Sequence, residues 1–237
     1  MKNDSISGKA GASWKAPAML LCAAMLAGQL HAQEISPAEK ILFQSNHLHN
    51  VTSAQPLRYS YVHKDKSGPG FSDQVRVDVS AKGSDGSAAV SSHFLTGERQ
   101  VALPALNGAQ GNPVLLGFLE RDISEMKRMT GGSTSYFRKR IRIALAEAAS
   151  VEPVTVSYGG RQVQGKKIAI QPYLHDPMQE KMQQYLAKNY VFILSDDIPG
   201  SIYQIRSTVP ALQQGDQKNG AALIEETLTV AGAKGSS

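Results

Sequence analysis

Cysteine and tryptophan are almost missing from this chain: its 237 residues hold one of each, Cys22 and Trp14. Both fall within the first 32 residues. The remainder has no disulfide and no thiol nucleophile, which removes cysteine chemistry outright. Charge of one sign is scarce as well. The formal net charge is +5, and it falls to +3 if the first 32 residues, with Lys2, Lys9, Lys15 and Asp4, are taken away. That balance is too mild to point to nucleic acid. Long apolar runs are lacking beyond residue 30, so no membrane span is expected after the N-terminal segment.

That segment is the clearest feature. Lysines cluster in the first fifteen residues, a run from Ala16 through Leu30 carries no charge, and Leu30-His31-Ala32 ends on a small residue. This three-part layout predicts a secretory signal peptide over 1–32, cleaved after Ala32. The run is short for a span, which needs roughly 20 apolar residues. Cys22 follows Leu21 in the middle of the run, which excludes a lipidation site there. The expected address is periplasmic or secreted.

Past the signal, the reading is a single α+β domain over 33–230 followed by a disordered tail over 231–237. Ser36-Pro37-Ala38-Glu39 is a capping box with proline at the first helical position, predicting a helix of three to four turns that fades by Asn50. Alternation at Leu57, Tyr59 and Tyr61, then at Val75, Val77 and Val79, then over 88–95, predicts three strands with one wet face. Two helices follow, from Asn112-Pro113 to about Thr130 and then past Ser133 or Ser135, with Gly131-Gly132 between them. Such a short link makes them antiparallel neighbours. Five strands close the chain at 154–158, 162–170, 190–194, 201–209 and 223–230, the first two joined by Gly159-Gly160 as a hairpin. The stretch 176–189 fits either a helix or an ordered loop. The sum is α+β, with a mainly antiparallel, curved sheet of about seven to eight strands, an N-terminal helix and a central helix pair.

Segments of this chain resemble an uncharacterised family of exported proteobacterial proteins. They are Phe94-Leu95-Thr96-Gly97-Glu98-Arg99, Gly111-Asn112-Pro113-Val114-Leu115-Leu116, Phe118-Leu119-Glu120-Arg121-Asp122 and Tyr136-Phe137-Arg138-Lys139-Arg140-Ile141-Arg142. The resemblance implies export and no activity. The element order is also similar to that of periplasmic lipoprotein carriers, in which a curved sheet wraps an apolar cavity under helices. That similarity is one of layout and transfers no binding residue.

Chemical motifs are few. The helix pair places six basic residues between Lys127 and Arg142. Arg138, Arg142 and Lys139 are candidates for an anion site that would take lipid headgroups or an acidic partner. Glu120, Asp122, Glu125 and Glu147 offer the alternative of an ion-pair network. His47-x-His49 lacks metal-ligand spacing on a helix, and H-E-x-x-H and carboxylate-rich loops are missing, so no metal or cofactor is expected. Ser133 and Ser135 read as caps, since no G-x-S-x-G elbow follows a strand. Tyr59, Tyr61, Phe118, Met126, Phe137 and Phe192 are candidates to line a cavity for an apolar ligand; as ordinary core they would simply pack. The expectation is an exported binder of a hydrophobic or amphiphilic ligand, its partner a lipid or other apolar molecule. An envelope interaction protein is the second reading, and a hydrolase without a recognisable motif the third.

Overall fold

The computed structural model describes residues 34–52, 56–84, 86–211 and 222–232. The expected signal segment and residues 233–237 lie outside them. The capping box forms as read: Ser36 N–H donates to Glu39 Oε2 at 3.1 Å, and Glu39 N–H donates to Ser36 Oγ at 3.1 Å. The helix it starts is short. One α turn, α1 (Pro37–Glu39), runs into a π-helical turn, Lys40–Gln44. Ser45 ends it, because both its N–H and its hydroxyl bond the Lys40 carbonyl while its own backbone is extended. Asn46 Oδ1 then accepts from Leu48 N–H and holds the following turn. The helix of three to four turns is thus cut to eight residues by local polar side chains that compete for the backbone.

The sheet has nine strands, one more than the upper expectation. They are β1 (Leu57–Asp65), β2 (Phe71–Lys82), β3 (Ala88–Phe94), β4 (Leu106–Ala109), β5 (Ser150–Tyr158), β6 (Arg161–Ile170), β7 (Asn189–Leu194), β8 (Ile202–Val209) and β9 (Ile224–Val230). The addition is β4, four residues paired with β3 at the sheet edge. Gly108, with φ of 75°, lies within it. The order is β4-β3-β2-β1-β9-β8-β7-β6-β5 and every neighbouring pair is antiparallel. Two meanders therefore meet at the centre, where the first strand pairs with the last from Tyr59↔Val230 to Asp65↔Ile224. Gly159 and Gly160 both take positive φ and turn the β5–β6 hairpin, as the sequence predicts. Beyond β9, Ala231 N–H bonds the Arg58 carbonyl and the Gly232 carbonyl accepts from Gly159 N–H, so these two residues of the expected tail are tied to the sheet.

Between the meanders lie α2 (Val114–Thr130) and α3 (Thr134–Glu147). Gly131, in the left-handed region at φ 73°, terminates α2, and Ser133 caps α3 by accepting from Tyr136 N–H. The ambiguous stretch resolves into one turn of α4 (Gln179–Met182) and a 3-10 turn, Gln183–Tyr185. Alternate residues of β1 and β7 are buried, and the helix pair packs on that face. Tyr61 lies 6.2 Å from Phe118 of α2, and Phe137 of α3 meets Tyr173 edge-on at 5.9 Å. No helix among the described residues is long and apolar enough to cross a membrane.

Candidate functional site in a charged cleft beneath α2

The buried face of α2 runs Phe118, Leu119, Asp122, Ile123, Met126, and its one acid sits among apolar neighbours. Asp122 is 1% exposed. Lys188 Nζ donates to its Oδ1 at 2.6 Å, Ser207 Oγ to the same oxygen at 3.1 Å, and Tyr190 Oη to Oδ2 at 2.5 Å. These donors come from the entry to β7, from β8 and from β7. Beside them on β9, Glu226 takes the inward parity of Leu228 and Val230. His63 is its direct partner in the β1–β9 register, with Nδ1 3.0 Å from Glu226 Oε1. Arg121 Nη1 lies 2.9 Å from the same oxygen.

Burial by itself would push the Glu226 carboxyl up; the His63 hydrogen bond and the Arg121 and Lys188 charges overcome that and hold it well below the usual carboxylate range. At Asp122 burial dominates and pushes the carboxyl up, against the Lys188 charge. Burial, then the neighbouring Glu226, pushes the Tyr61 hydroxyl up and keeps it protonated. Two carboxyls in one cluster are thus driven apart.

This cluster forms the floor of a cleft of about 300 Å³. Phe71, Met126, Met129, Val209 and Ile224 give it apolar walls. Arg99 and Arg128 stand at its rim, tied to Asp73 and Glu125. The Phe71 ring is stacked with His63 at 5.0 Å and carries the Arg99 guanidinium 4.7 Å from its centroid.

Of the residues picked from sequence as cavity-lining, Met126 lines this cleft. Tyr59, Tyr61, Phe118, Phe137 and Phe192 are at most 2% exposed and belong to the packed core. Met129 is 45% exposed at the mouth. In the basic helix pair, Arg138 forms a two-pronged bond with Glu120, Arg128 pairs with Glu125, and Arg140 pairs with Asp176 at 3.2 Å. Lys139 and Arg142 are exposed. Asp122, grouped with the acids available to these arginines, turns instead into the core and meets Lys188. Sequence reasoning missed Lys188, Glu226 and Arg121 as a site because folding gathers them from three distant elements. The readable trace was an acid on the apolar stripe of α2 and another at an inward position of β9.

A second cleft, about 340 Å³, collects Ser45, His47, Ser195, Asp196 and Ser201. The residue types suggest a hydrolytic triad, but the bonds do not. His47 Nε2 faces the Ile41 carbonyl at 2.7 Å and Nδ1 accepts from Asn112 N–H at 3.3 Å, so both ring nitrogens are engaged by backbone. Burial lowers the His47 pKa and favours this neutral form. Ser195 donates to the Gln164 carbonyl and Ser201 to the His47 carbonyl. These contacts pin loops, and neither hydroxyl has a base. His49 Nδ1 lies 2.6 Å from the Asn46 carbonyl oxygen. Neither a family of known proteins, nor a curated protein, nor a solved structure matches the chain.

Proposed function

We propose that this chain is an exported binding protein that holds a small amphiphile in the cleft beneath α2. The observation that carries the reading is the cleft's division of lining between apolar Met126, Met129, Val209 and Ile224 and the buried charged groups Asp122, Lys188 and Glu226. A ligand with an apolar body and a polar end matches that division. The volume sits at the low end of the roughly 300–1,000 Å³ range of small-molecule sites, which favours a short ligand. Binding is preferred to catalysis because Asp122 is engaged by three donors and Glu226 by His63 and Arg121. A general acid or base needs a free approach to its substrate's proton. Export rests on the N-terminal segment. The curved sheet of the carrier layout is part of the same proposal.

Purified protein should bind an environment-sensitive apolar dye saturably in the native state, and a short-chain lipid should displace it. Met129→Trp fills the mouth of the cleft from a half-exposed position. It should block the dye while leaving the melting temperature unchanged. Equal dye binding by the variant and the parent would place the ligand elsewhere and overturn the reading.

A further inference from the structure

We infer that the ligand of this cleft is uncharged and presents a hydrogen-bond acceptor to which the Tyr185 hydroxyl donates. The inference rests on the amphiphile reading and narrows it to a chemical class.

The first ground is charge. The buried acids of the cleft each hold a cation, Asp122 with Lys188 at 2.6 Å and Glu226 with Arg121 at 2.9 Å beside His63, and the rim cations Arg128 and Arg99 pair with Glu125 at 2.7 Å and Asp73 at 3.3 Å. In the first two pairs the acids are 1% and 5% exposed at the side chain. A charged ligand would add a charge without a counterpart to a site already in balance, or would have to break a buried pair. Leaving a buried charge unpaired is strongly unfavourable, so the floor rejects carboxylates and ammonium groups alike. A neutral head meets no such penalty.

The second ground is an unmet donor. Tyr185 is 4% exposed, lies in the wall of the cleft and has no hydrogen-bond partner for its hydroxyl. Arg121 Nη1, close to Glu226 Oε1, is likewise off the line of a hydrogen bond. A buried donor without an acceptor destabilises the site, and a ligand oxygen that accepts from it removes that strain. Sites built to hydrogen-bond a ligand discriminate sharply for it. An acyl ester or amide carbonyl has the required acceptor, no charge and an apolar chain to lie against Met126 and Met129.

Octanoyl glycerol, octanoate and octylamine share one chain length and differ in the charge of the head. Each is used at neutral pH to displace the apolar dye from the full mature protein. Octanoyl glycerol should displace it at a concentration at least about tenfold lower than either charged probe, the ratio set by a modest burial penalty. Tyr185→Phe should weaken octanoyl glycerol by about three- to tenfold, the worth of one neutral hydrogen bond, without lowering the melting temperature. Octanoate or octylamine displacing as well as the ester would overturn the inference, and so would unchanged affinity in Tyr185→Phe. Either result leaves the cleft reading standing, since the dye is still displaced. If no probe displaces the dye, or the dye does not bind, the cleft reading fails and this inference with it.

Discussion

Lys188 Nζ lies 2.6 Å from Asp122 Oδ1, and that contact fastens α2 to the strand entering the far half of the sheet. Both groups are almost wholly buried. Removing one partner leaves the other charged in the interior. Lys188→Met should therefore cost about 3–5 kcal/mol of stability in a denaturant titration. The double change Asp122→Leu with Lys188→Met should recover part of the loss, since no charge is then stranded. A single-variant loss below about 1 kcal/mol would mean that the pair is solvated like a surface bridge.

The basic helix pair makes the opposite point about exposure. Arg138 and Glu120 have half-exposed side chains, 53% and 36%. Arg138→Ala should change stability by no more than about 1 kcal/mol. Arg140 is different because its partner, Asp176, is fully buried and also accepts from Tyr136 Oη at 2.6 Å. Arg140→Ala should cost about 1.5–3 kcal/mol, as for loss of a contact to a buried charge. Thermal melts of the two variants side by side check the order, and equal losses would contradict it.

Acid should weaken the protein through Glu226. Its carboxyl is held down from 4.5 to about 2 in the folded chain. A carboxyl with a depressed folded pKa contributes stability above its unfolded value, and that contribution is lost as pH falls through the folded value. Stability should thus decline between about pH 4.5 and pH 2. Asp122, pushed the other way, opposes the decline. Glu226→Gln should be less stable than the parent at neutral pH yet lose less over this window. Parallel acid limbs in urea titrations would remove Glu226 as the cause.

Gly117 tests how closely α2 approaches the sheet. A Cβ placed there would overlap the Phe94 ring and stand 3.0 Å from Leu103 Cδ1. Glycine to alanine inside a helix ordinarily stabilises by about 1 kcal/mol. Here the crowding of a buried ring should reverse the sign, with a net loss of about 1–3 kcal/mol. A stabilised Gly117→Ala would show that Phe94 moves aside freely.

The proposed export makes a direct prediction about composition. Cleavage after Ala32 yields a chain beginning at Gln33 and lacking tryptophan. N-terminal sequencing of the exported form should find Gln33, and its fluorescence should come from tyrosine. Tryptophan emission from the exported form would rule out this cleavage.

Local periodicity carried most of the fold into view. Alternation at Leu57, Tyr59 and Tyr61 and the apolar run 190–194 both correspond to strands with alternating burial. Gly131 and Ser133 marked the helix ends they make. What failed was decided by competition at single groups: Ser45 ended the first helix early, and pairing with β3 made a strand of a glycine-bearing stretch. The cleft was harder to read. Asp122 and Lys188 are 66 residues apart and His63 and Glu226 163 apart, so no local pattern joins them. The aromatic residues chosen as cavity-lining were sound as inward positions, but inward positions cannot say whether the space beyond them is filled. All five pack in the core.

The pairing of the first strand with the last governs when this protein can become itself. Ser60 and Thr229 are neighbours in the sheet and 169 residues apart in the chain. Each meander can begin on its own, but until β9 is present the edges of β1 and β8 both lie open and neither half is complete. His63 and Arg121 meanwhile have no Glu226 to meet. Contacts this distant form late, after the entropy of closing the intervening loop has been overcome. If exported as proposed, a chain threading a translocase from its N-terminus would keep its central seam unzipped until the segment Ile224–Val230 had crossed, because that strand fastens both halves. The fold carries its own delay, written in strand order.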